Sequence, residues 1–255
     1  MAETVFDERW QGVDGIFGGF VLACFVEEAA TVEGYSPMSI TVNFVSTISA
    51  GPADVTTTVL HRGRSTASLR IEVHQGGRLR AHATSVAVPG AREVSWSRVH
   101  DLSHLLAPED SPLRENLPHR MPFYDNLEIR ATGPFTKELG SSAWIRVTNE
   151  ATVRDLGSAR AVAAVVLDAL PPSLLAGTPR ATYVPTVEFT AHFSPALGDF
   201  GTGWYHATNE MIWTDDSYCV EESTLCLPDG RVVAQVRQSR SVRWPVSAET
   251  LPPDH

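Results

Sequence analysis

The chain has 255 residues, of which 43% are hydrophobic and 20% charged, a composition typical of folded globular proteins and not of disordered chains. Thirty acidic against twenty basic residues give a net charge of −10, which disfavours binding to nucleic acids and anionic membranes. No stretch has the ~20 apolar residues that cross a bilayer, and three cysteines without metal-ligand spacing (Cys24, Cys219 and Cys226) indicate reduced thiols. We therefore expect a soluble cytoplasmic protein that has no nucleic-acid or membrane partner and no metal or other cofactor.

The first predicted elements are a strand within residues 4–13 and a helix at about residues 16–32. The helical segment is apolar nearly all round from Ile16 to Ala30, so the helix must be enclosed and not laid on a surface. A strand at residues 38–46 and further β-rich runs follow, and a turn at Gly77-Arg78 precedes a last alternating strand. The segment after this strand is rich in proline, serine and charge, which is typical of a linker that crosses the surface.

The same order of events returns after the linker. Strands at residues 123–130 and 143–147 precede a second apolar helix at about residues 158–170, which Pro171-Pro172 ends. A strand at residues 187–194 and further β-rich runs lead to a second turn, Gly230-Arg231, and a last alternating strand. Such repetition indicates two tandem copies, which we place at residues 1–98 and 122–246 with a linker at 99–121. An antiparallel sheet around one buried helix, twice, fits better than alternating βαβ units, and we expect the two sheets to join edge to edge.

A helix enclosed by a curled antiparallel sheet is the hotdog fold, and a tandem pair resembles the acyl-CoA thioesterase II family over roughly residues 5–88 and 120–244. The resemblance is strongest in three stretches, Leu167–Pro172, Val184–Phe189 and Arg231–Gln238. It implies an α+β double hotdog that hydrolyses acyl-CoA, or another acyl thioester, with an Asp, a Thr and a Gln that position and activate water. On this chain those residues are Asp168, Thr186 and Gln238. The segment between Asp168 and Thr186 is several residues shorter than in the best-known members.

Each of these residues also has a structural interpretation. Asp168 comes near the end of an apolar helix, where it either faces solvent or is enclosed as a general base with a raised pKa. Gln238 extends a row of apolar residues that begins at Val232, which predicts a buried amide that either orients a nucleophile or bonds to the core backbone. Thr186 opens its strand, and its alternation places it on the face opposite Phe189, as a water-orienting hydroxyl or a turn group.

The first copy differs from the second at the corresponding positions. Counted from the turn glycine, Ser85 corresponds to Gln238, and Glu27 falls near the position of the helix-end aspartate. We therefore predict one active site per chain, organised by the second copy. In an alternative, Glu27 is the base, together with Gly18-Gly19, whose N–H groups at a helix start could polarise a thioester carbonyl.

Two rival functions remain open at this stage. One is another enzyme on this fold, such as a dehydratase acting on carrier-bound acyl or polyketide groups, and the other is a non-catalytic acyl-CoA-binding protein. The sequence contains no Gly-x-Ser-x-Gly elbow, His-Glu-x-x-His motif or P-loop. Because hotdog sheets leave edges and faces that favour self-association, we expect a homodimer or a higher homo-oligomer.

Overall fold

The computed structural model describes residues 2–90, 93–114, 121–134, 140–177, 183–198 and 201–244. Within these ranges the chain forms one 11-stranded antiparallel sheet with helices packed against it. The strands and α-helices, in chain order, are β1 (Ala2–Phe6), α1 (Gly18–Ala30), β2 (Tyr35–Phe44), β3 (Gly51–Arg62), β4 (Ala67–Gln75), β5 (Arg78–Pro89), β6 (Leu127–Ala131), β7 (Ser141–Val147), α2 (Glu150–Leu156), α3 (Ala159–Leu167), α4 (Leu174–Gly177), β8 (Thr186–Phe193), β9 (Tyr205–Thr214), β10 (Tyr218–Cys226) and β11 (Val232–Ser241).

The order of the strands divides the sheet into two similar halves. Across the sheet the order is β1-β3-β4-β5-β2-β8-β11-β10-β9-β7-β6. Outward from the junction, the first half reads β2, β5, β4, β3, β1, and the second half reads β8, β11, β10, β9, β7, β6. The halves join through β2 and β8, where Thr41 pairs with Thr190 and accepts a hydrogen bond from its hydroxyl at 3.1 Å. The predicted edge-to-edge junction is confirmed.

Helices α1 and α3 pack against each other and against strands of their own half. Helix α1 buries Val21, Leu22, Phe25 and Val26, and every residue of α3 from Ala161 to Leu167 is buried. Both helices are apolar nearly all round because one side meets the sheet and another meets the partner helix. The predicted enclosure of both segments is confirmed.

The prediction of a long central helix in each half is not confirmed. Helix α1 has 13 residues and α3 has 9, so both are shorter than their apolar segments suggested. In the second half, Gly157 adopts a left-handed conformation with φ of 89° and separates α3 from α2. The Ser158 hydroxyl caps α3 by accepting from the Ala161 N–H. Pro171-Pro172 prevents α3 from continuing.

The strand predicted at residues 123–130 begins later than expected, at Leu127. Pro122 opens a 3-10 helix that runs to Asn126, and proline at the first position of a helix is favoured because its missing N–H costs nothing there. None of the helices in the described ranges is long and apolar enough to cross a membrane.

Candidate active site

Asp168 ends helix α3 and lies against the first turn of helix α1, which belongs to the other half. Its backbone, with φ of −103° and ψ of 2°, already departs from the helix. A methyl group at Gly18 would lie 2.9 Å from Oδ2 of Asp168, and one at Gly19 would lie 3.0 Å from its Cβ. The two glycines therefore allow the carboxylate to approach the backbone of α1 closely.

The electrostatics of the two helix ends offset part of the cost of burying a carboxylate at this place. An anion at the C-terminus of α3 is unfavourable for that helix, but the N-terminus of α1 carries a partial positive charge. Phe17, the N-cap residue of α1, supplies no side-chain hydrogen bond, and the backbone N–H of Gly19 favours the ionised form of Asp168. The Asp168 side chain is only 7% exposed, so the interpretation of a solvent-facing helix end is wrong.

Gln238, on β11, connects Asp168 to Thr186. It is 1% exposed, its Nε2 donates to Oδ1 of Asp168 at 3.1 Å, and its Oε1 accepts from the Thr186 hydroxyl at 3.0 Å. The predicted buried amide is confirmed, and these two bonds join it to side chains of the candidate site. The three residues that the resemblance singled out therefore form one continuous hydrogen-bonded chain.

Thr186 lies on the face of β8 opposite to the one that its alternation predicted. Glu188 and Thr186 pair with consecutive residues of β11, so Val187 between them is an extra residue. Such a β-bulge reverses the alternation of side chains beyond it and brings the Thr186 hydroxyl to the side on which Gln238 lies. No local pattern in the sequence marks this bulge, which is why the predicted face was wrong.

Two buried charged residues that sequence reasoning missed lie next to this hydrogen-bonded chain. Arg240 is 5% and Glu221 is 0% exposed, and Nε of Arg240 donates to Oε2 of Glu221 at 2.8 Å. Nη1 of Arg240 donates to the Thr186 hydroxyl at 2.8 Å, and its Nη2 donates to Oδ1 of Asp168 at 3.4 Å. A signal for Arg240 was available, because it follows Gln238 by two residues and continues the same buried row.

The ionisation of Asp168 is set by opposing influences. Burial is the largest of them and raises the pKa of Asp168 above its ordinary value of 3.8. The Arg240 guanidinium, the Gln238 amide and the Gly19 N–H act in the opposite direction because they stabilise the carboxylate. A carboxylate with a raised pKa is a stronger base than an exposed aspartate, which suits general-base catalysis near neutral pH.

A cleft of about 470 Å³ lies beside Asp168, between residues of the two halves. Asp168, Thr186 and Arg240 line it together with Gly18 of the first half, whereas Gln238 lies behind them. The rest of the wall has an aromatic and aliphatic part, which includes Phe17, Phe44, Phe123, Tyr124, Leu170 and Leu175, and also polar and charged residues such as Asp14 and Arg243. A cleft with an apolar wall and a polar, charged corner suits a ligand that has an apolar chain and one reactive polar group.

Glu27 lies at the far end of α1, away from the glycines that begin this helix. It follows Gly18 by nine positions, which is about 13 Å along a helix that rises about 1.5 Å per residue. Its carboxylate accepts from the Ser158 hydroxyl at the start of α3. Burial raises the pKa of Glu27, and that hydrogen bond acts against the rise. The alternative in which Glu27 and Gly18-Gly19 form one site is therefore wrong.

Two family models match the chain. The acyl-CoA thioesterase N-terminal domain matches residues 6–88, and the acyl-CoA thioesterase C-terminal domain matches residues 106–242. The first range spans α1 with its glycines, and the second contains Asp168, Thr186 and Gln238. No curated protein matches the chain.

Solved structures share the fold at low sequence identity. A conserved protein of unknown function with a hot dog fold from Alicyclobacillus acidocaldarius is 21% identical, with a TM-score of 0.80 over 96% of this chain and 93% of that one. A tesB protein of Mycobacterium avium subsp. paratuberculosis is 15% identical, with a TM-score of 0.75 over 94% and 93% of the two chains. The acyl-CoA thioesterase II TesB2 of Mycobacterium marinum is 16% identical, with a TM-score of 0.69 over 89% of both. These structures show the hotdog fold, and the two domain models show that the chain belongs to the acyl-CoA thioesterase family and is a thioester hydrolase.

Proposed function

We propose that this chain is a double-hotdog acyl-CoA hydrolase in which Asp168 activates a water molecule. The observation that carries the proposal is the hydrogen-bonded chain from Thr186 through Gln238 to Asp168, beside a cleft whose wall has an aromatic and aliphatic part. In this arrangement the acyl chain lies along the apolar wall and the thioester group lies at the polar corner.

The reaction needs one base that accepts a proton and later releases it. Asp168 accepts a proton from water while the water oxygen bonds to the thioester carbonyl carbon. The C–S bond then breaks, and the departing thiolate takes up the proton that Asp168 holds. The products are a carboxylic acid and a free thiol, and Asp168 returns to its carboxylate form. Its raised pKa suits both proton transfers near neutral pH.

We assign the Gly18 N–H as the donor to the oxyanion that develops on the carbonyl oxygen. Gly18 is the first residue of α1, so its N–H has no acceptor within the helix, and it lines the cleft. The next N–H, that of Gly19, interacts with Asp168 and favours its ionised form. A fixed backbone donor at the positive end of a helix is well placed to stabilise negative charge in the transition state.

Thr186 orients its neighbours and does not attack the thioester in this mechanism. Its hydroxyl donates to Gln238 and accepts from Arg240. A nucleophilic hydroxyl needs its proton directed at a base, and here the proton is directed at an amide oxygen. Thr186 therefore holds Gln238, which in turn holds Asp168.

Release of free thiol from a panel of acyl-CoA substrates of different chain lengths tests the proposal. We expect hydrolysis of at least one substrate, formation of the free acid by mass spectrometry, and a loss of ~10²-fold or more in kcat/KM for Asp168→Asn. A dehydrated acyl product would indicate a different chemistry on this fold. Calorimetric binding without turnover would indicate an acyl-CoA-binding protein. Either result would overturn the proposal.

We also propose that the protein self-associates as a homodimer. Strands β1 and β6 are the edges of the open sheet, and such edges favour association with a second chain. Light scattering at micromolar concentration should give a mass above that of one chain, and a clean monomer would contradict the expectation.

A further inference from the structure

The guanidinium of Arg240 lies between two buried carboxylates and is closer to the one outside the cleft. It approaches Glu221 to 2.8 Å and Asp168 to 3.4 Å. The other carboxylate oxygen of Glu221 accepts from the Ser173 N–H at 2.5 Å, in the segment that follows α3. Glu221 is therefore anchored to the backbone that follows Asp168, and it binds the Arg240 guanidinium through a different nitrogen from the one that donates to Asp168.

A buried ion pair of this kind is weak evidence for a role in stability. Its charges lose their hydration, and well-packed apolar residues of similar size often stabilise a protein as well or better. What an apolar pair would not provide is the set of directed contacts that Arg240 makes. One nitrogen fixes Glu221, a second donates to the Thr186 hydroxyl, and a third donates to Asp168.

We propose that Arg240, anchored by Glu221, is a positioning residue that orients Thr186 and keeps Asp168 ionised at the pH where the enzyme works. The inference rests on the proposed role of Asp168 as the base. The Arg240 guanidinium lies closer to Glu221 than to Asp168. It therefore stabilises the Asp168 anion only in part, and Asp168 keeps part of its basicity. The pKa of Asp168, raised by burial, is thus moderated by Arg240 and not returned to that of an exposed aspartate.

Other titratable groups face Asp168 or its cleft from different elements. Tyr124, from the 3-10 helix Pro122–Asn126, interacts with Asp168, and burial raises the pKa of its phenol to about 12, so it is neutral near pH 7. The remaining titratable residues that line the cleft are Asp14, Tyr183 and Arg243. The test below leaves these groups unchanged, so differences between variants report on Arg240 and Glu221.

The experiment compares the pH dependence of kcat/KM among three variants of the full chain. They are Glu221→Gln, the double variant Arg240→Met/Glu221→Gln, and the control Arg237→Met/Glu222→Gln. The first two differ only at Arg240, and neither leaves Glu221 as a buried carboxylate without its cation. The control removes an exposed ion pair from the same two strands, β10 and β11.

On the acid side of the pH profile, kcat/KM falls as Asp168 becomes protonated, and we call this fall the acid limb. Glu221→Gln removes a nearby anion and leaves the Arg240 guanidinium to interact with Asp168 alone. The acid limb should therefore move to lower pH than in the wild type. In the double variant the acid limb should lie about one pH unit or more above that of Glu221→Gln, the scale expected for losing an opposite charge at this distance. The Arg237/Glu222 control should keep the wild-type profile.

Thermal unfolding of each variant establishes that it is folded before its profile is compared. If the folded double variant has its acid limb at the pH of Glu221→Gln, with only a lower plateau, Arg240 is purely structural and the inference is wrong. An acid limb of Glu221→Gln that stays at the wild-type pH would also contradict it. Asp168→Asn, assayed alongside, separates the two proposals: retained activity would reject Asp168 as the base, whereas lost activity with unmoved acid limbs would reject only the role of Arg240.

Discussion

Helices α1 and α3 lie side by side, and at each end of this pair a carboxylate near the end of one helix contacts the start of the other. At one end Asp168, after α3, meets Gly18-Gly19 of α1, and at the other Glu27 of α1 meets Gly157-Ser158 before α3. Burial raises the pKa of both carboxylates, and a donor from the opposite helix start acts against the rise in both. The two ends therefore differ mainly in what the surrounding strands add.

The strands differ at each position that makes up the network in the second half. Sheet register gives the equivalent residues, with the first half named before the second: Ser85 and Gln238, Leu69 and Glu221, Ala87 and Arg240, Pro37 and Thr186. The first half thus has short or apolar side chains where the second has an amide, two charges and a hydroxyl. A carboxylate at a helix start is a capping arrangement that a fold can use anywhere, and the strand residues decide whether it becomes a candidate active site.

The largest contrast should appear between Asp168→Asn and Glu27→Gln. The first should reduce kcat/KM by ~10²-fold or more, because it removes the base, while the second should leave most of the activity. Asp168→Asn should also keep the thermal stability of the wild type, since a raised pKa means that the fold disfavours the ionised carboxylate relative to a neutral group. Kinetics and thermal unfolding measure both quantities. Comparable losses of activity in the two variants would contradict the placement of the base in the second half.

A smaller contrast is expected between Gln238→Ala and Ser85→Ala. The first removes one hydrogen-bond partner from Asp168 and one from Thr186, so we expect a loss of about 10- to 100-fold in kcat/KM and of about 1–3 kcal/mol in the free energy of unfolding. The second removes only a hydrogen bond to the Ser39 carbonyl, at 2.9 Å, and should cost about 1 kcal/mol without loss of activity. Urea unfolding and steady-state kinetics test both variants.

Combining Gln238→Ala with Asp168→Asn refines this contrast. The combined loss should be far smaller than the product of the single losses, because groups that serve one reacting water act as a unit. Losses that multiply in full would mean that the two residues act independently.

The smallest effects should come from the glycines at the two helix starts. A methyl group at Gly18 would lie 2.9 Å from Oδ2 of Asp168, so Gly18→Ala should displace the carboxylate and lower kcat/KM by about tenfold. Gly157 has φ of 89°, and a methyl group there would lie 2.5 Å from Oε2 of Glu27, so Gly157→Ala should lower stability by about 1–3 kcal/mol and keep the activity. If a folded Gly157→Ala variant lost as much activity as Gly18→Ala, the two ends would not differ as described.

Patterns within short segments predicted much of this molecule. The apolar periodicity of two segments predicted two enclosed helices, and alternation along β11 predicted that Gln238 is buried. The resemblance of three short stretches selected Asp168, Thr186 and Gln238, which the structure joins by hydrogen bonds. The same alternation along β11 also predicts that Arg240, two residues after Gln238, is buried.

Packing of the whole chain decided the rest. Asp168 contacts the start of helix α1, which belongs to the other half of the chain, and no local sequence pattern links Asp168 to Gly18-Gly19. The face of Thr186 depends on the bulge at Val187, which exists only in the register of β8 against β11. Glu221 is a charged strand residue of a kind that usually faces solvent, and its burial follows from its place beneath Arg240. The sequence by itself determined which faces of the helices and strands are apolar, because that depends on local spacing, whereas only the tertiary structure decided which of those faces meet.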